Sequence, residues 1–171
     1  MIYNTEALEK LNGIKLRVEE NAKLIDDIVS DIITPYTQDL DKYVAFVKEC
    51  LKDGDHPLTD GELEDISNNL ATYIYYASGM CEQLGIRDDI AKALYKDTYN
   101  SARLELDKGT IDDKNSIAES KSQQEQLVSI CYTRAYKTLK NKVDAAQELL
   151  GSTKKVLTKR IADLQLTKMG E

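Results

Sequence analysis

The side chains best suited to bind a ligand are basic and aromatic residues in the last third of the chain. Lys and Arg can contact phosphates and release counterions from a nucleic acid, and Tyr rings can stack on unpaired bases. The candidates are Arg134, Lys137, Lys140, Lys142, Lys154, Lys155, Lys159, Arg160, Tyr132 and Tyr136. A second interpretation stays open, in which the charges form a solvated helix face and the tyrosines pack between helices.

The charge of the chain is distributed unevenly along its length. The 171 residues carry a net charge of −7. From Met1 to Thr133 there are 14 basic and 26 acidic residues, a net charge of −12. From Arg134 to Lys168 there are 9 basic and 3 acidic residues, a net charge of +6. This polarity predicts an anionic partner at the basic segment or head-to-tail contact between copies, and therefore a homo-oligomer.

Residues that could carry out catalysis or hold a metal ion are sparse. His56 is the only histidine, so neither a serine or cysteine triad nor a two-histidine zinc motif can form. No glycine-rich phosphate loop is present, and the glycines are isolated. The cysteines, Cys50, Cys81 and Cys131, lie far apart among apolar residues and are predicted to be buried thiols. We therefore predict no enzymatic activity, no catalytic residues, no metal site and no cofactor.

The distribution of apolar residues also bears on location. The chain begins at Met1, and no run of apolar residues is long enough for a signal peptide or a membrane span. We expect a protein with no membrane association that acts in the cytoplasm, or in the host cytoplasm if a phage encodes it.

Apolar residues at steps of three and four predict an all-α fold. The first predicted helix, 5–33, carries such a series on one face and ends before Pro35. The series is Ile14, Val18, Leu24, Ile25, Ile28 and Ile32. A second helix is predicted over 36–51 and a loop over 52–57.

The rest of the chain is predicted to form longer helices. Thr59 and Glu62 form a capping-box pair, and the helix that they begin is expected to stop at Gly85. A further helix over 87–108 is followed by Gly109, and Thr110 resembles another N-cap. The polar stretch 112–126 is expected to project into solvent or meet a partner.

From Leu127 onward a narrow apolar stripe predicts a coiled-coil-like arm, which Gly151 and Ser152 are expected to kink or divide. The overall prediction is an antiparallel helical bundle with a long C-terminal helical hairpin. It has two regions, an acidic helical hairpin over residues 1–57 and a bundle with a basic C-terminal coiled-coil arm over residues 58–171.

The stretch from Asp89 to Gln165 resembles the UvsY-type recombination mediators of phages. A helix rich in Tyr, Ala and Lys is followed by a short polar loop and then by a second helix with the segment YKTLKNKVDAAQELL. The resemblance implies binding of single-stranded DNA, of a single-strand binding protein and of a strand-exchange recombinase, together with self-assembly into rings. The region before about Asp60 does not match the family, and either oligomerisation or recombinase docking remains open for it.

The resemblance also implies roles for individual residues. The phosphate contacts would be Lys137, Lys140, Lys142, Lys154, Lys155, Lys159 and Arg160, and the stacking residues would be Tyr132 and Tyr136. The function that follows is a single-stranded DNA-binding accessory that helps to load a recombinase. The alternative is an acidic helical protein–protein interaction module, such as a phage assembly factor or a host-defence inhibitor, with no nucleic-acid binding.

Overall fold

The computed structural model describes residues 5–52, 58–106 and 109–169, with side chains over 9–52, 58–106 and 109–166. This part of the chain consists of α1 (Thr5–Lys52), α2 (Asp60–Leu104), α3 (Ile111–Lys121) and α4 (Gln123–Met169), and contains no strand. The all-α prediction is confirmed. Most of the predicted loop, with His56, lies outside the described residues.

Helices α1, α2 and α4 pack around one hydrophobic core. Helices α2 and α4 run antiparallel, since Asp60 lies 3.5 Å from Arg160 while Asp88 accepts a hydrogen bond from Thr133 at 2.6 Å. The second half of α1 packs against both helices. The buried core residues include Ile33, Leu40, Leu70, Ile74, Leu84, Leu139 and Val143. The predicted antiparallel bundle is therefore present.

The starts of α2 and α3 follow from local chemistry. The Thr59 hydroxyl accepts a hydrogen bond from the Glu62 amide, and the Glu62 carboxylate accepts one from the Thr59 amide at 2.7 Å. Thr110 and Asp113 form the same reciprocal pair at the start of α3. Each pair satisfies amides that a helix leaves without a partner at its N-terminus, and both predicted caps are confirmed.

The predicted breaks inside the helices were wrong. Helix α1 continues through Pro35, so the N-terminal segment is one helix and not the predicted hairpin. Proline cannot donate a hydrogen bond to the carbonyl of Asp31, so one hydrogen bond of the helix is missing here. The buried side chains Ile33, Thr37 and Leu40 hold the helix in the bundle on both sides of this missing bond. Helices α2 and α4 likewise continue through Gly85 and Gly151.

One of the two expectations was that the polar stretch after Thr110 projects into solvent. The structure shows that it does not do so throughout. Its first part forms α3, which folds back on the end of α2 and buries Ala118 completely. Lys121 pairs with Glu105 at 2.8 Å, and the Tyr99 hydroxyl donates a hydrogen bond to Asn115 at 3.4 Å. A polar sequence can therefore be held in place by a few specific contacts.

None of the described helices has a stretch that is both long enough and apolar enough to cross a membrane.

Candidate interaction surfaces

All ten candidate ligand-binding residues lie on α4, whose position is fixed by a buried stripe that includes Leu139, Val143 and Ala146. Six of the eight basic residues are exposed: Arg134, Lys137, Lys140, Lys154, Lys155 and Lys159. The helix therefore holds these charges at the surface of the bundle.

The other two basic residues contribute to interhelical contacts. Lys142 is half-buried and forms an ion pair with Asp41 of α1. Arg160 donates a hydrogen bond to the carbonyl oxygen of Leu58 and lies 3.5 Å from the Asp60 carboxylate at the start of α2. Both side chains therefore join α4 to another helix, across more than 100 residues of sequence.

Tyr132 and Tyr136 are half-buried and pack against the core of the bundle. The Tyr136 ring lies over Gly85, where an added Cβ would come within 3.3 Å of Tyr136 Cε2. Gly85 thus provides space for the ring and does not end the helix. Among the tyrosines that the structure describes, the most exposed are a different pair, Tyr75 and Tyr76, whose ring centroids lie 5.7 Å apart.

Acidic side chains interrupt the exposed basic face of α4. At about 100° per residue, Lys137, Asp144, Glu148 and Lys155 fall within about 20° of one line along the helix. Asp144 and Glu148 are both exposed. Since 18 residues of helix span about 27 Å, the charges near Lys137 and those near Lys155 form two separate groups.

A buried carboxylate lies at the contact between α2 and α4. Asp88 is 4% exposed, accepts a hydrogen bond from Thr133 at 2.6 Å and pairs with Lys92 at 2.7 Å. Burial by itself would raise the pKa of Asp88, but the hydrogen bonds from Lys92 and Thr133 and the nearby positive charges lower it below its ordinary value. Asp88 lies in the interior of α2 and not at the start of a helix.

The cysteines and acidic residues of the described part of the chain form no group of three that could hold a metal ion. Burial raises the pKa of the Cys131 and Cys81 thiols. Cys131 is buried, as predicted, whereas Cys50 and Cys81 are only half-buried. The predicted absence of catalysis stays a prediction.

A series of exposed apolar side chains lies on the first half of α1. Every residue from 9 to 24 is exposed. Six large apolar side chains of this region are between 39% and 61% exposed: Leu11, Ile14, Leu16, Val18, Leu24 and Ile28. The sequence interpretation recognised most of this series as one helix face. It did not identify the face as uncovered.

The bundle does not cover this face because the other helices pack against α1 only from about Ile25 onward. The bundle-facing positions Ile33, Leu40 and Val47 repeat every seven residues. The upstream series Leu11, Val18, Ile25 and Ile32 repeats every seven residues one position earlier. One residue is about 100° of rotation about a helix axis. A seven-residue step falls about 20° short of two turns, so over the five heptads and one residue from Leu11 to Val47 the helix returns to the same direction. The first half of α1 is exposed because the α1 residues that pack in the core begin at Ile25.

A smaller apolar patch lies where α2 and α4 meet. Ile90 and Leu94 are one turn apart on α2 and are 53% and 57% exposed. Leu94 and Val128 of α4 line a surface depression of about 280 Å³. Apolar side chains are therefore exposed on two separate parts of the molecule.

Comparisons of the chain with protein-family models, with curated proteins and with solved structures found no match.

Proposed function

We propose that the protein is a protein–protein interaction module that acts by helix–helix docking. The observation that carries this proposal is the series of large apolar side chains exposed along the first half of α1. Contiguous exposed apolar surface on a folded protein is typical of an interaction site, whereas single exposed apolar residues are not. An amphipathic helix with a free apolar face can dock against another helix or into a groove.

The charge distribution supports this proposal. Lys142 and Arg160, two of the eight basic candidates on α4, form intramolecular ion pairs. Asp144 and Glu148 separate the remaining basic side chains into two groups on the exposed face. A polynucleotide backbone would meet these carboxylates between its two basic contacts. A protein partner can accommodate alternating charges more readily.

Site-specific photo-crosslinking in cells tests the proposal. A photoreactive amino acid replaces Ile14 on the exposed apolar face of α1, or Ile90 in the apolar patch where α2 and α4 meet. A third variant carries it at Asn141, an exposed polar position of α4, as the matched control. We expect discrete protein adducts at Ile14, Ile90 or both, and none at Asn141. Equal adducts at all three positions, or none at either apolar position, would contradict an interaction module.

A second candidate function is the single-stranded DNA-binding accessory of a recombinase, acting with a single-strand binding protein in the cytoplasm of a phage-infected cell. The observation that favours it is the set of exposed basic side chains on α4, which stands out because the chain as a whole is acidic. Binding would be dominated by phosphate contacts and would weaken with salt.

Fluorescence anisotropy of a labelled poly-dT oligonucleotide tests this second candidate at low and moderate salt. The variant replaces Lys154, Lys155 and Lys159 with Gln. It should bind more weakly, and its log–log salt slope should fall by about 2, at about 0.7 for each lost phosphate contact. A matched control replaces three exposed lysines of α1 with Gln, at Lys15, Lys23 and Lys48. No binding by the wild type at low salt, or equal losses in both variants, would count against DNA binding through α4.

A further inference from the structure

A cavity of about 300 Å³ lies where α1 and α2 face each other. Tyr36 and Asp39 of α1 line it together with Tyr73 and Tyr76 of α2. The other lining residues are apolar, and no lysine, arginine or histidine is among the described residues that form its wall. Small-molecule sites typically measure roughly 300–1,000 Å³, so this cavity has room for one small group.

Neighbouring side chains hold two of the three tyrosine rings in place. The Tyr73 ring packs against Tyr43 with the ring centroids 4.9 Å apart, and both tyrosines pack against the core. The Tyr36 hydroxyl accepts a hydrogen bond from Arg87 at 3.0 Å, and Arg87 itself does not line the cavity. Tyr76 is 64% exposed and lies on the solvent side. Much of the aromatic wall is therefore formed before a ligand binds, which lowers the entropic cost of binding.

The Asp39 carboxylate gives the cavity a negative charge. Asp39 is exposed, and no hydrogen bond or ion pair joins it to another described residue. A second depression shares Tyr76 with the cavity and adds Tyr75 and the Glu82 carboxylate, again with no basic residue among its described lining residues. The charged side chains that line the two depressions are therefore both carboxylates.

Aromatic rings and a carboxylate are groups that together attract a cation. The face of a tyrosine ring is electron-rich and attracts an ammonium or guanidinium group within about 6 Å of its centre. A carboxylate adds Coulomb attraction for the same cation and repels an anion. We infer that this cavity binds an organic cation between its tyrosine rings and Asp39. None of its lining residues belongs to the apolar surfaces of the proposed function, so the inference does not depend on that function.

NMR titration of the full chain with ¹³C-labelled tyrosine rings is the first test. The probes are choline, a free quaternary ammonium compound, and N-acetylarginine amide, which represents an arginine side chain of a protein partner. Each is compared with a neutral molecule of nearly the same shape, 3,3-dimethyl-1-butanol for choline and N-acetylcitrulline amide for the arginine derivative. We expect a cation to shift the ring signals of Tyr36, Tyr73 and Tyr76 and to bind at least about 10-fold more tightly than its neutral counterpart.

The two cations separate the two sources of the same chemistry. Saturable shifts with choline alone indicate a free quaternary ammonium compound, and saturable shifts with the arginine derivative alone indicate a side chain of a protein partner. Saturation by both supports a cation site that accepts either source. The inference is overturned if neither cation gives saturable shifts, or if each cation binds no more tightly than its neutral counterpart.

Two substitutions of Tyr76 separate the aromatic ring from the hydroxyl. Tyr76→Leu should weaken cation binding about 3-fold or more, because leucine is apolar but has no electron-rich face. Tyr76→Phe keeps the ring and should bind within about 2-fold of the wild type. Both variants should fold, since substitutions of exposed residues usually change stability little. Equal affinities of the two variants would contradict contact of the cation with this ring.

A matched pair of charge substitutions tests the carboxylate. Asp39→Asn and Asp97→Asn each remove one exposed negative charge, but Asp97 lies about 30 Å from Tyr76 along α2 at 1.5 Å per residue. Asp39→Asn should weaken cation binding at least about 3-fold, whereas Asp97→Asn should leave it unchanged. An equal loss in both variants would mean that the net charge of the chain alone attracts the cation, and it would overturn the assignment of the site to this cavity.

Discussion

The two halves of α1 differ in what surrounds them, although both are amphipathic. In the second half of α1, Val29, Ile33 and Leu40 lie in a core shared with α2 and α4, and Val47 is completely buried. From Leu11 to Ile28 an apolar series of similar density is largely exposed. Helical periodicity therefore indicates which face is apolar, but the placement of the other helices decides how much of that face is covered.

The largest expected effect is a difference in the free energy of unfolding between a substitution in the core and a substitution on the exposed first half of α1. Leu139→Ala should lower the free energy of unfolding by about 2–5 kcal/mol, because Leu139 is completely buried and its removal leaves a cavity. Ile14→Ala should change it by no more than about 0.5 kcal/mol in the monomer, because the side chain is 59% exposed. Chemical denaturation at low protein concentration measures both. A comparable loss at Ile14 would show that the first half of α1 belongs to the same cooperative unit as the core.

The next effect concerns the buried carboxylate. Asp88→Asn should lower the free energy of unfolding at pH 7 by about 1–3 kcal/mol, since it removes a charged partner of Lys92 in a buried contact. The folded-state pKa of Asp88 is depressed, so its contribution is fully present above the ordinary Asp value of about 4 and is lost as the pH falls below it. The difference in the free energy of unfolding between the wild type and Asp88→Asn should therefore become smaller from pH 7 to pH 3. The control is Asp89→Asn, at the exposed neighbouring residue. A difference in unfolding free energy between the wild type and Asp88→Asn that does not depend on pH would contradict this account.

A smaller effect is expected at the start of α2. Thr59→Ala removes the hydroxyl of the capping box and should cost about 1 kcal/mol. Thr72→Ala is the control, because Thr72 is an exposed mid-helix residue whose hydroxyl only donates a hydrogen bond to the carbonyl of its own helix at Asn68. Thermal unfolding followed by circular dichroism measures both variants. Equal stabilities would mean that packing alone holds the start of α2.

The smallest effects distinguish three glycines inside helices. Gly79→Ala and Gly151→Ala should each stabilise the protein by about 0.5–1 kcal/mol, since a Cβ meets no atom within 4 Å and Ala favours the helix. Gly85→Ala should stabilise less or destabilise, because its Cβ would come within 3.3 Å of the Tyr136 ring. Chemical denaturation ranks the three variants. An equal gain at all three positions would show that the Tyr136 ring moves aside freely.

The sequence predicted best those features that depend on nearby residues. The all-α class and both capping boxes depend on residues within a few positions of each other, and they were predicted correctly. Pro35 and Gly85 were predicted to end helices from intrinsic preference alone, and this was wrong because packing on both sides outweighs a single unfavourable residue. Gly151, which was expected to kink or divide α4, does not divide it.

The candidate site was only partly predictable for a related reason. The exposed positions of α4 follow from its helical period. By contrast, the ion pair of Lys142 with Asp41 and the contact of Arg160 with Asp60 join residues about a hundred positions apart. No local pattern distinguishes a lysine that joins two helices from one that faces solvent. The uncovered stripe of α1 was visible in the sequence as an amphipathic series, but its exposure depends on where the other helices contact α1, which no local pattern shows.

The turn between α2 and α3 has a consequence for the order in which the chain folds. The pair Lys121–Glu105 closes a loop of 16 residues, Thr133–Asp88 one of 45, and Arg160–Leu58 one of 102. Each doubling of loop length adds about 0.6 kcal/mol to the entropic cost of closure, so short loops close first. Once the contacts near Gly109 have formed, each later contact along the hairpin closes a shorter remaining loop. We therefore expect the α2–α4 hairpin to assemble from this turn outward and the ion pair of Arg160 with the start of α2 to form late.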